Sequence, residues 1–327
     1  PPGSCGQHAA GGYHPAMHRP RIGIPLTLDD RGRWREGRDY HYIDRRYADA
    51  IVRAGGLALQ LPIQPEVEPL LDAIDGLLLP GGDDFPSDGP LSPEVELDLV
   101  AEEQLAFDRA LYREARIRSL PVLGICYGMQ LMAHTLGGQL DAHLPSQRPE
   151  AAPHRLASEA RHTVEIAEKS RLAEVVGTRS LSVNSLHHQA IRAPGPAHRA
   201  VAFAPDGVIE AIEPAGAGSE RWELGVQWHP EKQDDAESDR LFQAFIAACR
   251  SLPEKVQRCF HPEHVINEPC SELLSQPDPF EGGCLAPEVA VLGRYLGQAT
   301  HRVDRFNLDG EGGEDLRLIE PCSEILY

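Results

Sequence analysis

The sequence predicts an α/β protein built on a mostly parallel sheet covered by helices on both faces. Two short apolar runs carry that expectation, GLLLP at 76–80 and LPVLGIC at 120–126, because continuous apolar strands are buried on both sides. They alternate with segments of helical spacing, the pattern of strand–helix–strand units. Apolar residues make up 41% and charged residues 25% of 327 residues, a composition that suits a large globular core and excludes a disordered chain.

Residues 1–20, rich in Gly, Pro and His, read as a disordered leader with no apolar stretch of signal-peptide type. Arg21 to Thr27 (RIGIPLT) is a β-type run that opens the folded body, expected to span 21–250. From Tyr40 to Ala54 apolar residues recur at helical spacing, and Gly55-Gly56 supplies a stop. LALQLP at 57–62 reads as a strand, and GLLLP as a buried strand halted by Gly81-Gly82. A helix is expected from about Glu94 to Arg118. LPVLGIC is the next buried strand, and it runs straight into YGMQLMAHTLGG at 127–138, a helical segment closed by a Gly pair. Between His162 and Trp228 five β-type runs follow: HTVEIA, LSVNS, RAVAFA, GVIEAIE and ELGVQW. An amphipathic helix from about Asp234 to Cys249 closes the domain.

Gly124-Ile125-Cys126-Tyr127-Gly128 lies where a buried strand becomes a helix, in the form of a nucleophile elbow. The sharp turn brings backbone close at both flanking positions, which glycine permits. Cys126 would stand at a helix N-terminus, where free N–H groups and the helix dipole favour thiolate. A free cysteine more often packs as a small hydrophobe, so the elbow needs a partner. Gly225-Val226-Gln227-Trp228-His229-Pro230-Glu231 offers one. In an extended chain residues i and i+2 share a side, so Glu231 can fix one nitrogen of His229 while the other faces Cys126 as general base and acid. Attack on an amide carbonyl also needs oxyanion donors. The Tyr127 N–H is one candidate and the Pro80-Gly81-Gly82-Asp83 turn another, although Gly-Gly alone is an ordinary turn.

LLLPGGDD, GICYGMQLM, VNSLHHQAI and GVQWHPE, in this order, resemble the class I glutamine amidotransferase-like family, and within it the γ-glutamyl-γ-aminobutyrate hydrolase (peptidase C26) branch. The similarity covers about residues 21–250. It implies a flavodoxin-like three-layer sandwich, a cysteine hydrolase of γ-glutamyl amides, and a triad of Cys126, His229 and Glu231. It further implies oxyanion donors at Gly82 and Tyr127, and no metal or organic cofactor. Gln130, Asn184, Ser185, Leu186 and His187 would hold the amino and carboxylate groups of the glutamyl moiety. Tyr127 stands where many hydrolases of this branch have Arg, and Tyr there is familiar from true amidotransferases. IPLT, VNSLHHQ and APDGVIEAIE look like the hydrolase branch. His134 is taken as a helix-surface or packing residue.

A formal charge of −19 repels phosphate backbones and anionic membranes, so neither nucleic acid nor a membrane is the expected partner, and the resemblance implies a small γ-glutamyl molecule. Seven cysteines with no CxxC pair suit a reducing, cytoplasmic setting. Residues 251–327 carry 14 acidic and 6 basic residues and a near-repeat, NEPCSELL and IEPCSEIL, and read as an acidic extension. Its Cys259, His261, His264, Cys270 and Cys284 match no standard zinc-finger spacing. A lid or a homo-oligomer contact is the other expectation for this segment. Two rival readings share the domain: a glutaminase subunit that feeds ammonia to a partner synthase, and a non-catalytic sensor on the same fold.

Overall fold

The computed structural model describes residues 19–157, 159–216 and 221–250; the acidic extension, with its cysteines and both PCSE copies, and residues 1–18 of the expected leader lie outside the described residues. The chain opens with β1 (Arg21–Pro25), β2 (Thr27–Asp29), β3 (Tyr40–Tyr42), α1 (Arg45–Arg53), β4 (Leu57–Leu61), α2 (Glu68–Asp72) and β5 (Gly76–Leu79). It continues through α3 (Glu102–Ile117), β6 (Val122–Ile125), α4 (Tyr127–Thr135), β7 (Gln139–Asp141), α5 (Leu144–Gln147), β8 (Arg161–Ile166) and α6 (Arg171–Val176). β9 (Ser180–Asn184), β10 (Ala190–Ala193), β11 (His198–Phe203), β12 (Ile209–Pro214), β13 (Glu223–Val226) and α7 (Ala236–Arg250) complete it.

Two helices start later than their apolar spacing predicts, each for a local reason. At Asp44 the side chain accepts the Arg46 N–H and caps α1, while Tyr40–Tyr42 pair antiparallel with β2 instead of joining the helix. Before α3, Asp84 captures the chain: its carboxylate accepts the Asp98 N–H at 2.8 Å and its carbonyl accepts the Val100 N–H at 2.9 Å. Residues 94–101 are therefore held as loop, and α3 begins at Glu102.

Nine strands form one sheet in the order β4-β1-β5-β6-β13-β12-β11-β8-β9. From β4 to β13 every pairing is parallel, and from β13 outward the sheet continues antiparallel. The expected α/β sheet is thus parallel where it carries the elbow. Alternate residues of the central strands enter two different apolar layers. Leu78 and Leu123 pack with α1 and α7 through Ile51, Phe242 and Phe245, whereas Leu77, Leu79 and Val122 pack with α3 and α4 through Leu111, Met129 and Met132. Each fully buried Leu or Phe contributes about 1.5–3 kcal/mol. That double-sided burial is why β5 and β6 read as unbroken apolar runs. Among the described residues no helix is long and apolar enough to cross a membrane.

Register decides where the chemistry falls. β6 and β13 run in parallel with Gly124 opposite Gly225 and Ile125 opposite Val226, and the Cys126 N–H donates to the Val226 carbonyl at 2.8 Å. Both strands, and β5 beside β6, end at one edge. The elbow, the His-Pro-Glu run and the Gly-Gly turn therefore emerge together at the carboxyl ends of adjacent parallel strands.

Candidate active site

Cys126 has φ 52° and ψ −107°, a conformation that costs a non-glycine residue on the order of 1–3 kcal/mol. The flanking glycines enforce it. A Cβ on Gly128 would lie 2.1 Å from the Leu79 carbonyl oxygen, and one on Gly124 would lie 2.4 Å from Met132 Sδ. The half-buried thiol thus sits at the start of α4, reached by the Gln227 amide, whose Nε2 is 3.5 Å from Sγ.

His229 and Glu231 meet as expected, with Nδ1 2.7 Å from Oε1, but the extended chain assumed from the sequence is not what joins them. β13 ends at Val226, and Pro230–Lys232 form a single turn of 3-10 helix in which the Lys232 N–H donates to the His229 carbonyl. Proline's fixed φ suits the first position of such a turn. With Nδ1–H donating to Glu231, Nε2 is left to face Cys126. Burial alone would pull His229 down, yet the charges of Glu231 and then Cys126 outweigh it and push the imidazole up to about 10. The ring is therefore held as imidazolium through neutral pH and loses its proton as pH rises towards that value.

Two residues that fix this ring escaped the sequence reading or were given other work by it. Tyr47 on α1 lies with its hydroxyl 3.5 Å from Nδ1 while accepting the Gly81 N–H at 2.9 Å. Asn184 clamps the His229 backbone from both sides: its Nδ2 donates to the His229 carbonyl and its Oδ1 accepts the His229 N–H, each at 2.8 Å.

At the Gly81–Gly82 turn the Gly81 N–H is taken by Tyr47, and among the described residues no acceptor takes the Gly82 or Tyr127 N–H. The two are adjacent, since a Cβ on Gly82 would stand 3.1 Å from the Tyr127 ring. That ring stacks on Phe85 and donates its hydroxyl to Asp108 on α3 at 3.0 Å. Tyr127 thus braces the elbow against α3 with its side chain and leaves its N–H free.

Burial pushes Asp108 up to about 7, against hydrogen bonds from Tyr127 and Gln104 that pull it down. A carboxyl raised in the folded state contributes full stability below its unfolded value of about 3.9, and that contribution is lost as pH rises through about 7. Asp108→Asn should accordingly melt higher than the parent at about pH 8, with the gap shrinking towards pH 5. Thermal melts across that range check it, and parallel curves for the two proteins would contradict it.

The five residues expected to hold the glutamyl moiety are placed differently from one another. Gln130 is buried and spends its Nε2 on the Gln189 carbonyl at 3.0 Å and Gln227 Oε1 at 3.1 Å, so it orients the amide that reaches Cys126. Ser185 is fully buried and donates to the His154 carbonyl. His187 turns inward, with Nδ1 3.0 Å from the Gln189 carbonyl and Nε2 facing Glu210. Asn184 is occupied by His229. Only Leu186 is part-exposed, and the backbone is partly spent too, with the Asn184 N–H on Gln233 Oε1 and the His187 N–H on the His154 carbonyl. The reason is physical: Asn184, Ser185 and His187 all point into the interior, where they bond backbone groups of His229, His154 and Gln189 in turn. His134 is a packing residue, 2.9 Å from Arg109 and tilted on Phe85.

Comparison with known proteins agrees with this architecture. A Thermoplasma acidophilum protein, provisionally described as one of the subunits of GMP synthase, superposes with a TM-score of 0.51 at 19% identity, over 74% of this chain and all of that one, which is likeness of fold. A Mycobacterium tuberculosis protein provisionally named a glutamine amidotransferase is 38% identical over 241 residues, 70% of this chain and 75% of its own. Gamma-glutamyl-gamma-aminobutyrate hydrolase PuuD of Escherichia coli K12 is 32% identical over 263 residues, 74% of this chain and 98% of its own. The profile of the Peptidase C26 family matches residues 20–231, and the chain belongs to that family of glutamine amidotransferase-like hydrolases.

Proposed function

We propose that the chain hydrolyses γ-glutamyl amides of small amines through a γ-glutamyl thioester on Cys126. The observation that carries this reading is the convergence of the Cys126 thiol, the His229–Glu231 pair at 2.7 Å and two free N–H groups at one sheet edge. Cys126 Sγ attacks the γ-carbonyl carbon, and the oxygen, now negative, lies with Gly82 N–H and Tyr127 N–H. Each such donor is worth on the order of 3 kcal/mol in the transition state. As the C–N bond breaks, imidazolium His229 gives its proton to the departing amine. Water then attacks the thioester, His229 takes the proton back, and glutamate leaves as the Sγ–C bond breaks. Glu231 keeps the imidazole in the tautomer both steps need.

The leaving amine is proposed to carry a carboxylate, as in γ-glutamyl-γ-aminobutyrate, on which the names of several relatives agree. Arg31 and Arg33 lie near the Gly81–Gly82 turn but are engaged by Asp83, at 2.6 and 2.9 Å, and by Asp98, at 3.7 and 3.8 Å, so the relatives' names carry this part of the reading. The test is glutamate release from γ-glutamyl-γ-aminobutyrate, a γ-glutamyl amide of a neutral amine, and free glutamine. Cleavage of the first at a kcat/KM at least about tenfold above the second, a difference of roughly 1.4 kcal/mol, is the expected result. Turnover of glutamine alone would instead assign a glutaminase, and no turnover would assign the sensor reading.

A further inference from the structure

A second cluster of chemistry-bearing side chains lies outside the proposed triad. Glu210 on β12 is completely buried, and neither of its carboxylate oxygens has a hydrogen-bond partner. Three imidazoles surround it: His154 Nδ1 lies 3.4 Å from Glu210 Oε1, His162 Nε2 3.6 Å and His187 Nε2 3.6 Å. The ligand atoms of His154, His162 and Glu210 all fall within 4.8 Å of one another.

These spacings are too long for hydrogen bonds to a carboxylate, which run about 2.7–2.9 Å. Those of His154 and His162 fit the edges of a coordination tetrahedron, whereas His187 Nε2 falls outside the group of ligand atoms that lie within 4.8 Å of one another. With metal–nitrogen and metal–oxygen bonds of about 2.0–2.2 Å, neighbouring ligand atoms stand about 3.3–3.6 Å apart. The outward nitrogen of His154 agrees. It lies 3.0 Å from Asp206 Oδ2, the kind of outer partner that a metal-binding imidazole takes. Inside, His162 Nε2 and both Glu210 oxygens are buried with no hydrogen-bond partner, while His154 Nδ1 has Ser185 Oγ at 3.3 Å. Buried polar atoms without partners are costly, and a cation held among them relieves that cost.

We propose that His154, His162 and Glu210 bind one divalent transition-metal ion of the Zn²⁺ class. Two imidazoles and a carboxylate form a borderline donor set, and three protein ligands leave a fourth position for water. His162, whose side chain is 17% exposed, gives the ion its way in. The metal would join β8, β12 and the loop of His154, with His187 of the segment 184–189 beside Glu210.

The experiment is metal analysis of the full chain after dialysis against micromolar Zn²⁺, together with Co²⁺ titration followed by visible absorption. One equivalent of Zn²⁺, and intense tetrahedral Co²⁺ bands, are expected for the parent protein. Both should persist in a tail variant combining Cys259→Ser, His261→Ala and His264→Ala, and affinity should fall by about 100-fold or more in His162→Ala and Glu210→Gln. Should Glu210→Gln fail to fold, the part-exposed His162 variant decides. Absence of stoichiometric metal in the parent overturns the proposal. So does undiminished binding in His162→Ala, or binding lost only in the tail variant.

Discussion

Cys126→Ala should lower glutamate release by roughly 10⁴- to 10⁶-fold, the range over which removal of a nucleophile leaves only binding and oxyanion stabilisation. Steady-state assays on the parent's best substrate measure it. The same substitution should leave the fold intact, because the side chain is half-buried and alanine keeps the φ of 52°. Cys126→Gly should be equally inactive yet more stable than Cys126→Ala, since glycine adopts that φ without strain. A stability gain from deleting a side chain marks a position held against its conformational preference for the sake of chemistry. The coupling to His229 should be visible too. Burial pulls the imidazole down and Glu231 and Cys126 lift it to about 10, so loss of the thiol should move its titration downward, as followed by NMR of the ring protons.

Gly128→Ala has the other large expected effect, on stability as well as rate. The added Cβ would sit 2.1 Å from Leu79 O and 2.7 Å from Leu79 C, and backbone cannot swing aside as a flexible side chain can. Either α4 slides along the sheet or β5 yields, and both carry the elbow away from the Gly81–Gly82 turn. Overpacking of this kind costs about 1–3 kcal/mol and occasionally more, and the backbone clash places Gly128 at the upper end. Denaturant unfolding should show that loss, with activity falling by about 100-fold or more as the oxyanion donors move off position. Gly89→Ala is the control, because nothing lies within 4 Å of its Cβ and its φ is ordinary, so stability should stay within about 0.5 kcal/mol.

The central sheet was legible because β5 and β6 are buried on both faces and leave unbroken apolar runs in the sequence. The glycines of the elbow were equally legible, since close backbone approach leaves them few substitutes. Helix starts were less so. Asp84 holds residues 98–100 through one side-chain bond and two backbone bonds, a contact that apolar periodicity does not register. Short β7 and β10, which pair with each other apart from the main sheet, gave no periodic signal at all. Of the proposed triad, Cys126, His229 and Glu231 are each singled out by a local motif. Tyr47 is not, being 182 residues from the ring it approaches. The polar side chains of 184–187 were recognised as special but assigned outward, because strand alternation near Asn184 cannot say which face is the interior. The histidine cluster around Glu210 was invisible for the same reason as Tyr47: its members come from four separated stretches and share no motif.

The thioester is the claim on which the functional account turns. Acid-quenched intact-mass and peptide spectrometry of the enzyme during turnover of γ-glutamyl-γ-aminobutyrate tests it directly. The account predicts an adduct of one glutamyl group on the peptide that contains Cys126, absent from Cys126→Ala and decaying as glutamate appears. Turnover with no adduct at Cys126, or glutamate release that survives in Cys126→Ala, would contradict it.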